Sequence, residues 1–239
     1  LLFYLMKVRS GKLLIFLAGF LWLLLSVFHL YWAELNQDEG WYLYAAGLVA
    51  HGELPYRDFA FTQGPVMAFV YALATPLVEH FGVAAGRVVT QVFGGMAILL
   101  CVGLAMAGSP RRGRQTAAVF AVSLLAVNTY HNQFFSVVKT YSLTSLWLMA
   151  AFLFLALALT QHRPFASLMA GFFLAAAACT RLSAGVLIPV TVLGCLLDPT
   201  LRPCRAGWGV ALGAGLGLLL FLGPCLLLAP EATWFHLVE

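Results

Sequence analysis

Asp38 and Glu39 stand side by side in the run NQDEGWYLY, directly after the first long apolar stretch of the chain. A carboxylate in such a place can accept a proton from a hydroxyl, or it can start a helix by capping it and complementing its dipole. The flanking residues Tyr31, Trp32, Trp41, Tyr42 and Tyr44 form the aromatic belt of a membrane interface, where partial shielding from water strengthens a carboxylate as a base. Spacing alone leaves the two readings equally open. On the second, Asp38 caps a helix that runs from about Glu39 to His51 and stops at Gly52.

The elements that carry this pair are read from composition. Apolar residues make up 62% of the 239, and the mean hydropathy is +0.94, beyond the roughly 45–50% apolar content of a soluble domain. The expected class is all-α, a polytopic integral membrane protein with about seven transmembrane helices and interfacial helices in the first outer loop. A span takes about 20 apolar residues and must be helical, because lipid leaves an open backbone without partners. Leu13 to Leu30, Val88 to Ala107, Thr116 to about Tyr130 and Tyr141 to Thr160 are expected spans. Two shorter runs, Phe165 to Cys179 and Leu182 to Leu197, either cross or dip into one leaflet, and Ala206 to Leu228 closes the chain. The five cysteines are scattered singly, which favours buried small hydrophobes over a disulfide framework or a zinc site. Residues 1–239 are expected to be one membrane module, the N-terminal piece of a longer chain, with residues 31–87 as the loop that carries the site.

Charge sets the expected orientation. With the N-terminus in the cytoplasm, Lys7, Arg9, Lys12, Arg111, Arg112, Arg114, Arg163, Arg202 and Arg205 stay inside, against Arg57, Arg87, Lys139 and Arg181 outside, as the positive-inside rule requires. The same rule makes Val66 to Phe81 an interfacial helix, since a crossing there would turn the Arg111 to Arg114 cluster outward. No expected span has an ionised residue at its centre, which disfavours an ion-coupled transporter. Three arginines are too few to argue for nucleic acid and most simply fix topology.

The run D-E-G-x-Y, then G-E-L-P-Y-R-D-F, then Q-G-P before an apolar helix resembles the first outer loop of the GT-C class of polytopic glycosyltransferases. It is most similar to the branch with protein O-mannosyltransferases and lipid A aminoarabinose transferases. Phe81-Gly82 followed by Arg87, and Thr180-Arg181 after a span rich in small residues, extend the likeness. The resemblance implies an enzyme of the cell inner or plasma membrane that transfers a hexosyl or pentosyl group from a polyprenyl-phosphate donor. The acceptor hydroxyl would belong to a glycan, lipid or protein on the extracytoplasmic face, and transfer would invert the anomeric carbon. It makes Asp38 the expected base and Glu39 a residue that orients the acceptor or a divalent cation, Mg or Mn. The other class of function kept open is a transporter or flippase of lipid-linked glycans.

A phosphate leaving group has to be met by cations, and Arg87, Lys139 and Arg181 are the candidates. Snorkelling to lipid headgroups is the simpler reading of Arg87 or Lys139 taken singly. Arg181 joins two short apolar runs and would be drawn into the leaflet, within reach of a lipid phosphate. Asp58, with Gln63, matches the family pattern, although Arg57 and Asp58 after Pro55 also read as a local turn. His131, in the polar segment NTYHNQ, either touches a sugar or is a solvated loop histidine.

Overall fold

The computed structural model describes residues 2–198 and 206–238, and all its regular elements are helical. In chain order these are α1 (Leu2–Trp32), α2 (Gln37–Ala50), α3 (Val66–Ala72), α4 (Thr75–Phe81), α5 (Val83–Ala107), α6 (Arg114–Val127), α7 (Thr129–Phe134), α8 (Thr140–Gln161) and α9 (Pro164–Ala178). A 3-10 turn (Leu182–Val186) then leads into α10 (Leu187–Leu197), followed by α11 (Ala206–Phe221), α12 (Gly223–Leu228) and α13 (Pro230–Val238). Three of them, α1, α5 and α8, are long and apolar enough to cross a membrane. The apolar helices α6, α9, α10 and α11 are shorter. The expected cytoplasmic cations Arg202 and Arg205 lie outside the described residues.

The surface of the bundle is what a lipid environment demands. Large side chains point outward, with Phe16 69% and Leu99 72% exposed, while Ala175, Ala176 and Ala177 are at most 1% exposed. Lipid supplies no hydrophobic drive between helices, so close packing of small residues has to hold them together. The contact of α9 with α11 shows this most clearly: a Cβ on Gly213 would run into the Leu168 carbonyl, and one on Gly171 into the Val210 carbonyl.

Several boundaries differ from the sequence expectation, each for a local reason. Helix α5 begins at Val83 rather than Val88, because Gly82, at φ 68°, ends α4 and opens α5 in one residue. Arg87 is thereby carried into the helix and buried. The stretch Val66 to Phe81 is two short helices, with Pro76 in the first turn of the second. The closing run breaks at Leu222, where Pro224 in the first turn of α12 cannot continue α11. The span expected from Thr116 to about Tyr130 ends at Val127, and most of the polar segment Asn128 to Gln133 is the helix α7, which Asn128 caps by accepting from the His131 N–H.

Helix direction then gathers the chemistry. Helices α1, α6 and α9 finish, and α5, α8 and the Leu182 turn start, at one end of the bundle, where Arg87 reaches Ala33, Gln91 reaches Ser136, Asn132 reaches Ala126 and Arg181 reaches Thr140. The connections bearing Arg111, Arg112 and Arg163 lie at the other end.

Candidate active site

The acidic pair is divided by its own helix. Asn36, not Asp38, is the N-cap of α2: its side chain accepts from the Asp38 N–H at 3.0 Å, and Glu39 reaches back to the Asn36 N–H at 3.0 Å. This is a capping box, which satisfies two of the amides that the start of a helix leaves open. Glu39 therefore turns inward and is 1% exposed, whereas the Asp38 side chain is 43% exposed.

Glu39 is met in the interior by Arg87. The guanidinium donates from Nε to Oε1 at 2.9 Å and from Nη2 to Oε2 at 2.7 Å, and Oε1 also accepts from the Val138 N–H at 3.0 Å. The remaining Arg87 donors reach the Leu30, Ala33 and Glu34 carbonyls, at 3.4, 3.1 and 2.9 Å respectively. Burial alone would raise the Glu39 carboxyl; the Arg87 bond and the two backbone N–H groups outweigh it and hold the group below its ordinary value. The expected roles of Glu39 toward an acceptor and of Arg87 toward a donor phosphate have no free atoms behind them. Both residues lie away from the cleft that Asp38 lines.

That cleft, of about 350 Å³, is bounded by Asp38, Tyr42, Gln63, Lys139, Thr140, Tyr141, Arg181, Leu182 and Ser183. Lys139 Nζ lies 2.7 Å from Asp38 Oδ2. Arg181 donates to Thr140 Oγ1 and Ser183 Oγ, both at 3.2 Å, and its guanidinium carbon stands 4.4 Å from the centre of the Tyr141 ring. Lys139 is the N-cap of α8 and makes no side-chain cap bond, so the first amides of α8 face the cleft end without one. Two cations and an uncapped helix start favour an anion there. Burial, and secondarily the Asp38 charge, push the Tyr42 phenol up to about 12, which keeps it a hydroxyl donor at neutral pH.

The Q-G-P motif explains how Gln63 and Arg181 come to the same cleft. Gly64 lies so close to the end of α9 that a Cβ on it would overlap the Cys179 carbonyl, and the Val66 N–H donates to that carbonyl at 3.0 Å. The turn before α3 is thus docked two residues from Arg181. Sequence reasoning missed this role of Gly64, because a glycine before Pro65 is already accounted for by the start of a helix.

Two other candidates are not brought to the cleft. Asp58 accepts from Arg57 and from the Leu54 N–H at 2.8 Å, and the Asp58 N–H returns to the Leu54 carbonyl. The Arg57 bond lowers its carboxyl to about 2, and the pair closes the LPYRDF turn, in which Tyr56 takes a positive φ. His131 lies on α7 with its ring 3.8 Å from that of Phe135, lowered by burial and therefore uncharged at neutral pH.

A divalent cation does not suit this donor set. Both Glu39 oxygens are taken by Arg87 and backbone N–H groups, and Asp38 is faced by an ammonium. Among the described residues no three His, Cys, Asp or Glu side chains gather as metal ligands.

Comparison with family models, with curated proteins and with solved structures finds no match.

Proposed function

We propose that the chain is a membrane glycosyltransferase that moves a sugar from a polyprenyl-phosphate carrier to an acceptor hydroxyl. The observation that carries this reading is the meeting of Asp38, Lys139 and Arg181 around one cleft at the end of an apolar bundle. A single half-exposed carboxylate opposite two cations suits a reaction with one proton to remove and one phosphate to release.

In the proposed step, Asp38 takes the proton of the acceptor hydroxyl as its oxygen bonds to the anomeric carbon. The bond from that carbon to the phosphate oxygen breaks on the opposite face, and the configuration inverts. The electron pair leaves with the polyprenyl phosphate, whose charge is met by Lys139 and Arg181. No acid is needed for the leaving group, which accounts for one carboxylate in the cleft rather than two. Lys139 compensates Asp38; an arriving phosphate competes for the ammonium and leaves the carboxylate free to act.

The proposed setting is a bundle of seven spans in the inner or plasma membrane, with the N-terminus cytoplasmic and the cleft extracytoplasmic. The cation count and the outward-facing apolar surface support it. The test is incubation of the intact protein in membrane vesicles with radiolabelled polyprenyl-phosphate sugars. Label should move covalently to an acceptor; label that only changes sides of the bilayer would replace this reading with a flippase.

A further inference from the structure

The buried Glu39–Arg87 pair uses up its hydrogen-bonding capacity in a specific pattern. Its bonds go to the backbone at Asn36, Val138, Leu30, Ala33 and Glu34. The pair meets the cleft at two chain neighbours: Glu39 itself adjoins Asp38, and Val138, which it holds, adjoins Lys139. No other side chain among those described bonds both the first turn of α2 and the backbone before α8. An ion pair this buried contributes little net stability, because desolvating both charges offsets their attraction. A hydrophobic pair would fill the space, and what it could not do is fix Val138 and Asn36 in one frame.

We propose that Glu39 and Arg87 are positioning residues that hold Asp38 and Lys139 at contact distance. Arg87 is suited to this as lysine is not, because its planar fork binds both carboxylate oxygens while its outer donors grip the carbonyls that end α1. The pair acts through its neighbours and touches neither acceptor nor phosphate. Its effect on turnover rests on the sugar-transfer reading; its effect on geometry does not.

The experiment reads the two separately, on the intact protein in detergent. A carbodiimide joins a carboxylate to an adjacent amine with loss of water and no spacer, so mass spectrometry of the digested product reports the Asp38–Lys139 amide directly. The wild type should give that cross-link. Arg87→Lys, which preserves the buried charge balance, and the double variant Glu39→Gln with Arg87→Met, which removes both charges, should each lose most of it. Turnover should fall about a hundredfold in both, the scale expected when catalytic groups are misplaced by about an ångström. Folded variants that keep the cross-link overturn the proposal, whether turnover survives, which makes the pair dispensable, or is lost, which makes Glu39 a chemical participant. If wild-type protein transfers no sugar but the cross-link follows the same pattern, the function is wrong and the positioning role stands.

Discussion

Lys139 Nζ and Asp38 Oδ2 lie 2.7 Å apart, although one residue opens α8 and the other sits in the first turn of α2. On the proposed reading it pairs the carboxylate that would take the hydroxyl proton with an ammonium that would turn to the departing phosphate. Asp38→Asn keeps the shape of the side chain and its ability to accept from Lys139, and the position is half exposed, so the fold should persist. Transfer of label from a polyprenyl-phosphate sugar should drop by about 10²–10⁴, the usual weight of a general base. Turnover near the wild-type rate in a correctly inserted Asp38→Asn protein would remove Asp38 from the chemistry.

How much of this was legible beforehand depends on whether a residue's partner was local. The all-helical class, the helix after Asp38 and the exposed Asp38 itself follow from hydropathy and from flanking aromatic residues. Lys139 and Arg181 are legible as cations at outer span ends and Gln63 through the family resemblance, yet nothing in their spacing places them together. Their meeting depends on α9 and the Gly64 turn touching. The resemblance gives Glu39 a share in the chemistry of Asp38, whereas the start of α2 decides where its side chain goes. The pattern Asn36-x-x-Glu39 is the local sign of a capping box, and it points Glu39 inward. The place of Arg87 turns on where α5 starts, since an arginine at a helix end snorkels and one a turn further in must find a buried partner.

Acid should loosen the fold through Glu39. Its carboxyl is held below the ordinary glutamate value in the folded chain, because the Arg87 and backbone hydrogen bonds outweigh burial. The folded state then binds fewer protons than the unfolded one between those two values. The contribution is whole above the ordinary value and is lost as pH falls through the folded one. Thermal melting in detergent should shift to lower temperature across that acidic window, and Glu39→Gln should flatten this part of the shift. At neutral pH, Glu39→Ala strands the Arg87 charge and should cost about 3–5 kcal/mol.

Gly64 and Gly47 should respond to alanine with opposite signs. A Cβ on Gly64 meets the Cys179 backbone, which cannot rotate aside, whereas one on Gly47 meets nothing within 4 Å. Gly64→Ala should destabilise by about 1–3 kcal/mol, as overpacking does, and should raise the donor KM by pushing the end of α9, and Arg181 with it, away from Lys139. Gly47 lies in the last turn of α2, and Gly47→Ala should gain part of the roughly 1 kcal/mol by which alanine exceeds glycine in a helix. Paired melting curves and donor titrations check both, and a Gly64→Ala protein with unchanged donor KM would uncouple the turn from the cleft.

Arg181 should weigh on the lipid donor rather than on the protein's abundance. Its guanidinium is already held at the mouth of the cleft by Thr140, Ser183 and the face of Tyr141, so little ordering remains to be done when a phosphate arrives. Charge-assisted hydrogen bonds of this type contribute about 1.5–3 kcal/mol, and Arg181→Ala should raise the donor KM accordingly while kcat falls less. Arg181→Lys should recover only part of the loss: an ammonium restores the charge but neither the fork nor the stacking on Tyr141. A short-chain alkyl phosphate, added as a competitor, should inhibit the wild type and inhibit Arg181→Ala much less. If Arg181→Ala instead lowers the amount of folded protein in step with activity and leaves the competitor's inhibition unchanged, the side chain holds the end of α9 to α8 and does not bind the phosphate.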